Sequence, residues 1–165
     1  MRKQLYIVFV LSLIMVSCTN PDRQVSDELE NTVADFERLY DVRVDYPVRV
    51  VDHDIDALGR CFGAPVMKGV EISRKVLEEY PEELEMVVFH ELAHCSFDVP
   101  HVDVLTSVKS KFGKAQAKSY MHSVAAKGRY DVFPKEYYRE ELREQIARTG
   151  KSWGKKIKIV LDLSS

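Results

Sequence analysis

No charge of one sign prevails in this chain: 24 lysines and arginines stand against 26 acids, a net charge of −2 at pH 7. Aromatic residues are not interleaved with basic runs. The electrostatic footprint of a nucleic-acid binder is therefore missing, and no nucleic-acid partner is expected. Internal repeats and low-complexity tracts are absent, which excludes a repeat array. The apolar run Leu5–Val16 is too short to cross a bilayer comfortably. Cysteine is scarce, with three in 165 residues. What is present, 45% hydrophobic and 30% charged residues, suffices for one small domain with a single core and no need of covalent staples.

Arg2 and Lys3 followed by the run Leu5–Val16 and then Ser17-Cys18 have the plan of a secretory signal peptide over residues 1–17. Met15-Val16-Ser17-Cys18 resembles a bacterial lipobox, in which the cysteine is lipidated and becomes the new N-terminus. Met15 stands where leucine is usual. Removing residues 1–17 leaves 22 basic against 26 acidic residues, a mildly acidic domain. With Cys18 carrying lipid, Cys61 and Cys95 remain as a pair. In an exported protein such a pair suggests a disulfide, the alternative being two buried thiols.

Residues 18–26 read as a polar tether and 27–165 as the domain. Leu29, Val33, Phe36 and Leu39 are spaced for an amphipathic helix over Asp27–Tyr40, packing on a sheet. Val42, Val44, Tyr46, Val48 and Val50 alternate as in a strand, with Pro47 at a bend or edge. Two short strands joined by turns fit Arg60–Ser73. Pro81 with Glu82, Glu83 and Glu85 marks a helix start. The helix that follows is apolar on nearly all sides, as a buried helix is. Leu105–Lys111 has some helical character within an irregular segment. Lys135–Thr149 is a helix closed by Gly150, and Ile157–Leu163 alternates as a final strand or edge tail.

The polar exceptions in the buried helix are His90-Glu91-Leu92-Ala93-His94, an HExxH string. Residues four apart share one helix face, so two imidazoles reach one zinc ion. Glu91, rotated about 100 degrees, is poorly placed as a ligand but well placed beside a bound water, whose proton it can take and pass to a leaving amine. Zinc lowers the pKa of its water to about 7 and polarises the scissile carbonyl. Two histidines and a glutamate amid apolar residues are costly unless a metal satisfies them. Catalytic zinc needs a third protein ligand. His101 leads, with Pro100 before it to end the helix; Asp98 and Asp103 are rivals. His53 and His122 lie in polar surroundings, and His53 reads as a surface residue.

His90–His94 with a trailing His101, followed by Ser119-Tyr120-Met121-His122, resembles the metzincin type of HExxH zinc peptidase, with its third histidine and S-x-M Met-turn. It is closer to a lipoprotein branch of bacterial metallopeptidases. In that branch a cysteine follows the second histidine, as Cys95 does. The third histidine then comes one place later, and a tyrosine-rich last helix like Tyr137-Tyr138-Arg139-Glu140-Glu141-Leu142 recurs. The likeness spans about residues 60 to 145. It implies His90, His94 and His101 as metal ligands, Glu91 as the general base, Met121 as a hydrophobic floor, and a Cys61–Cys95 disulfide. It also implies an edge strand before the active helix, near Val66–Ser73, that binds an extended peptide by strand addition. Three departures bear on geometry. Phe97 stands where metzincins have a glycine, the third histidine is seven residues on instead of six, and Ser123 occupies the place of a switching tyrosine.

The expectation is an α+β, zincin-like single domain: a small mixed sheet, a buried zinc-binding helix, an irregular Met-turn segment and a C-terminal helix. It would be a monomeric zinc metallopeptidase acting on a peptide or protein substrate. It would be lipid-anchored in the bacterial envelope, at the outer membrane where a cell has two, because Thr19 after the cysteine is not an inner-membrane retention aspartate. Tyr130, Tyr137 and Tyr138 are candidates to donate to the developing oxyanion. A zinc-binding envelope lipoprotein without turnover and a peptidoglycan-directed amidase are the alternatives.

Overall fold

The computed structural model describes residues 24–162, apart from 54, 56, 64–66, 111–112 and 124–129, with only the backbone described over 151–162. The expected signal peptide, the expected lipidation site Cys18 and most of the expected tether lie outside the described residues. Helix α1 (Glu30–Tyr40), entered through a 3-10 turn at Asp27–Leu29, precedes strands β1 (Val48–Val51), β2 (Gly59–Phe62) and β3 (Gly69–Ser73). Helices α2 (Arg74–Glu79) and α3 (Leu84–Phe97) follow, then strands β4 (Leu105–Lys109) and β5 (Ala115–Ala117), and helix α4 (Lys135–Asp162). This is a mixed α+β arrangement with small sheets and four helices.

The larger sheet has the order β1-β3-β2, with β1 parallel and β2 antiparallel to β3. The strand expected to accept a peptide, β3, is therefore the middle strand, and both its edges are used. The outer edge of β1 is occupied too. Val48 N–H donates to the Gln24 carbonyl at 2.8 Å and Ser26 N–H to the Val48 carbonyl at 2.9 Å. Gln24–Ser26, expected as the end of a tether, is thus bonded along the sheet. That leaves β2 as the open edge among the described residues.

Helix α3 is the centre of the molecule. It contains no glycine or proline, it starts after a 3-10 turn led by Pro81, and nine of its fourteen residues are buried. One side lies on β2 and β3, and another meets α1 and α4. Phe36 of α1 meets Phe89 edge-on at a centroid distance of 5.2 Å, so α1 packs on α3 where contact with a sheet was expected. The alternating residues Val44, Tyr46 and Val48 all point inward and are buried. Only the last of them belongs to β1, because the preceding segment is tied to α1 by Val44 N–H donating to Glu37 Oε1 at 2.8 Å.

Three expectations are corrected by the structure. Where helical character was expected over Leu105–Lys111, Leu105–Lys109 is the outer strand of a β4–β5 hairpin. Arg74–Glu79, on which the sequence carries no expectation, forms α2. Gly150 does not close the last helix, and residues 157–162 of the alternating run fall within α4, which runs to Asp162. An alternating run needs a neighbouring strand to take its backbone hydrogen bonds. Helical bonds are local and need none.

Candidate metal centre

Two turns of α3 and the loop after it make the site. Residues 90 and 94 share one helix face, and the loop brings His101 back to them. The Nε2 atoms of His90 and His94 are 3.0 Å apart, those of His94 and His101 3.0 Å, and those of His90 and His101 3.2 Å. Three nitrogens around a tetrahedral ion with bonds of about 2.0–2.1 Å stand about 3.3 Å apart, so the observed triangle is close to ligand spacing. Neither rival joins it: the three histidines are the group positioned to hold an ion. Asp98 is at the helix end, and Asp103 Oδ1 accepts from Ser123 N–H at 2.8 Å.

The protons of two of these rings are fixed by what lies behind them. His90 Nδ1 is 2.7 Å from the Tyr120 carbonyl and His94 Nδ1 2.6 Å from the Val99 carbonyl. A carbonyl oxygen only accepts, so each Nδ1 carries its proton and donates it. Burial, opposed by these same bonds, holds His90 down to about 4 and lowers His94. Both rings are therefore neutral near pH 7, and each Nε2 presents a lone pair. Two lone pairs face each other at 3.0 Å, and His101 can donate a proton to only one of them. A cation bound by all three satisfies the whole group, and carbonyl-backed histidines are the usual arrangement around protein metals.

The chain turns for His101 in an instructive way. Asp98 has φ 52° and ψ 33°, the left-handed conformation that ends a helix, which aspartate tolerates better than most residues. Its N–H donates to the His94 carbonyl at 3.1 Å, and Val99 N–H reaches the Ala93 carbonyl at 3.4 Å. The helix thus runs through Phe97, and the turn falls at residue 98. With the turn at residue 98, His101, seven places after His94, returns to the triangle with no glycine at 97. Buried Val99 serves twice, its N–H closing the helix and its carbonyl orienting His94.

Glu91 is buried beside the triangle, with Oε1 4.0 Å from His90 Nε2. Its Oε2 accepts from the Cys61 backbone N–H at 2.7 Å. Burial raises its carboxyl to about 7 against the lowering effect of that bond. Gly59 makes room for it: a Cβ there would lie 2.8 Å from Glu91 Cγ and 2.9 Å from Val87 Cγ1. The same Cys61 is disulfide-bonded to Cys95 of α3, with the Cα atoms 5.6 Å apart. Strand β2 is therefore clamped to α3 beside the carboxylate. Because the Cys61 amide points to Glu91 and away from β3, the open edge of β2 faces this side of α3.

Ser119–Met121 forms the turn on the other side. Met121 N–H donates to Ser119 Oγ at 3.0 Å, and the Met121 carbonyl accepts from Val102 N–H at 2.7 Å. Met121 is fully buried. His122 is buried as well, 3.8 Å from Asp103, whereas the His53 side chain is 60% exposed. Tyr138 donates to the Ala117 carbonyl at 3.3 Å, Tyr137 stacks on Phe133, and Tyr130 packs edge-on against Tyr138. These three tyrosines belong to a packed aromatic cluster. The groups that sequence reasoning missed are Gly59, the Tyr120 and Val99 carbonyls, and the network behind Tyr120. There the Tyr120 phenol donates to Glu85 Oε1 at 3.1 Å, while Arg139 holds both Glu85 oxygens at 2.9 Å. Backbone acceptors leave no mark in a sequence. Gly59 does, as a glycine opening a strand, which signals a close approach. Among known proteins, no family model, no curated protein and no solved structure matches this chain.

Proposed function

We propose that the protein is a zinc-dependent peptidase of zincin-like architecture, hydrolysing peptide bonds with His90, His94 and His101 as metal ligands and Glu91 as general base. The observation that carries the reading is the carboxylate of Glu91 standing 4.0 Å from a triangle of imidazole nitrogens whose lone pairs converge. A pure metal carrier gains nothing from a buried acid there. Three imidazole nitrogens positioned around one point suit zinc, which, when bound, would supply an acidified water and polarise a carbonyl.

The chain's own residues do the rest. Glu91, steadied by the Cys61 amide, takes the proton of the attacking water and returns it to the departing amine. The open edge of β2 gives an extended substrate backbone groups to pair with beside Glu91. Met121 supplies a buried apolar floor to the turn whose Tyr120 carbonyl orients His90. Export and lipidation at Cys18 place this activity on an envelope membrane, acting on peptide or protein substrates.

The test is a comparison of the full chain with its Glu91→Gln variant on an unstructured protein substrate. The variant is expected to keep one equivalent of zinc and to lose about 10²–10⁴-fold in hydrolysis. Equal rates for the two would remove Glu91 from the mechanism. Zinc binding with no hydrolysis by the wild-type chain would leave a metal-binding protein without turnover.

A further inference from the structure

The charge of the chain is segregated in a way its near-neutral total conceals. Between Asp103 and Asp131 lie five lysines, one arginine and no acid, leaving 18 basic against 26 acidic residues elsewhere, a net −8. The described core of that stretch is the β4–β5 hairpin, closed by a turn in which Ser110 N–H donates to the Lys114 carbonyl at 2.8 Å. Strand β5 is rooted in the protein, with Gln116 and Ala117 buried. Strand β4 lies outside it, and four of its five residues are exposed.

Side chains alternate between the two faces of a strand, so this exposure leaves both faces of β4 bare. The exposed side chains are of two kinds. Val104, Leu105 and Val108 are 44%, 42% and 41% exposed. Lys109, Lys114 and Lys118 stand around them, also exposed, and none forms an ion pair among the described residues. An apolar outer strand rimmed by unpaired lysines is costly in water alone.

We propose that this hairpin docks on an anionic membrane surface, its aliphatic side chains entering the headgroup boundary and its lysines meeting phospholipid phosphates. A protein partner would cover one face of β4, whereas a fluid interface surrounds both. Lysine stems lie along apolar neighbours while their ammonium groups stay at the polar level. Each contributes attraction to an anionic leaflet within a Debye length, and the apolar side chains add burial. The acidic remainder of the domain is repelled by the same surface, which orients the hairpin towards it. The proposal stands independently of the hydrolytic reading.

The test uses the full chain with vesicles of phosphatidylcholine alone or mixed with phosphatidylglycerol, at low and high salt. The N-terminal apolar run, with Arg2 and Lys3 before it, is the same in every chain compared, so the difference between the wild type and the hairpin variants isolates the hairpin. At low salt, binding is expected to be at least about tenfold tighter to the anionic vesicles, a preference lost at high salt. The combined Lys109→Glu, Lys114→Glu and Lys118→Glu chain is expected to lose the preference, with zinc stoichiometry reporting that it is folded. A milder set of glutamines at the same positions serves if it is not. Val104→Ser, Leu105→Ser and Val108→Ser together are expected to weaken binding to both vesicle types while keeping the salt dependence. Equal wild-type binding to both vesicles, or retention of the preference by the charge-altered chain, overturns the proposal. So does tighter binding to soluble poly-glutamate than to the anionic vesicles, which would make the ligand an acidic polypeptide.

Discussion

The two sides of the histidine triangle are held in different ways. On the α3 side, His90 and His94 sit on a buried helix, each backed by a carbonyl, and the helix is cross-linked to β2 through Cys95. On the other side, His101 is exposed on a loop and no covalent link holds it among the described residues. It is placed by a single left-handed residue, Asp98, and by the Val102–Met121 hydrogen bond. The difference teaches that two of the three histidines positioned to hold an ion, and the carboxylate, are fixed by the buried helix, while the third depends on a loop.

The contrast breaks most severely if the covalent clamp is removed. Cys61 and Cys95 close a loop with a sequence separation of 34, for which chain entropy assigns about 3–4 kcal/mol. A chain carrying both Cys61→Ser and Cys95→Ser is expected to lose stability of about that size in denaturant unfolding. Its hydrolysis should fall further than its zinc binding, because Glu91 loses the fixed position of the Cys61 amide while His90 and His94 keep their carbonyls. An unchanged unfolding midpoint would make the two sides equally held.

A smaller effect sharpens the same contrast from the loop side. At φ 52°, Asp98→Gly relieves the left-handed backbone and is expected to be neutral or stabilising by up to about 1 kcal/mol. Asp98→Val is expected to cost about 1–2 kcal/mol and to weaken zinc binding through His101. Thermal melts of metal-free and zinc-loaded chains separate the two effects. If Asp98→Val binds zinc as the wild type does, this turn is not what places His101.

Much of the α3 side was legible in the sequence. The HExxH string, the apolar surroundings of Leu84–Ala93 and the Pro81 start are local signals, and they give a buried helix with two histidines on one face. Where contacts between distant segments decide the outcome, the sequence was a poorer guide. The alternation at Val42–Val50 marks burial correctly but not strand pairing, since only Val48–Val51 finds a partner in β3. The position of β3 in mid-sheet, and so the transfer of the open edge to β2, depends on three strands meeting, which no one of them encodes. The β4–β5 hairpin is stabilised by a turn and one inward strand, with an outer strand that lacks the inside-outside alternation strands are recognised by. Its apolar exposure on both faces is the physical reason its pattern was unreadable. The turn at Asp98 is unmarked for a different reason: a missing glycine at 97 bears on the geometry only if the helix stops there, and it runs on through Phe97.

The central claim is that three imidazole nitrogens converge on one ion, and zinc-edge X-ray absorption of the full chain loaded with one equivalent of zinc tests it directly. The account predicts three imidazole nitrogens completed by oxygen at about 2.0–2.1 Å, falling to two imidazoles in the His101→Ala chain. A first shell with fewer than three imidazoles in the wild-type chain, or a spectrum unchanged by His101→Ala, would contradict it.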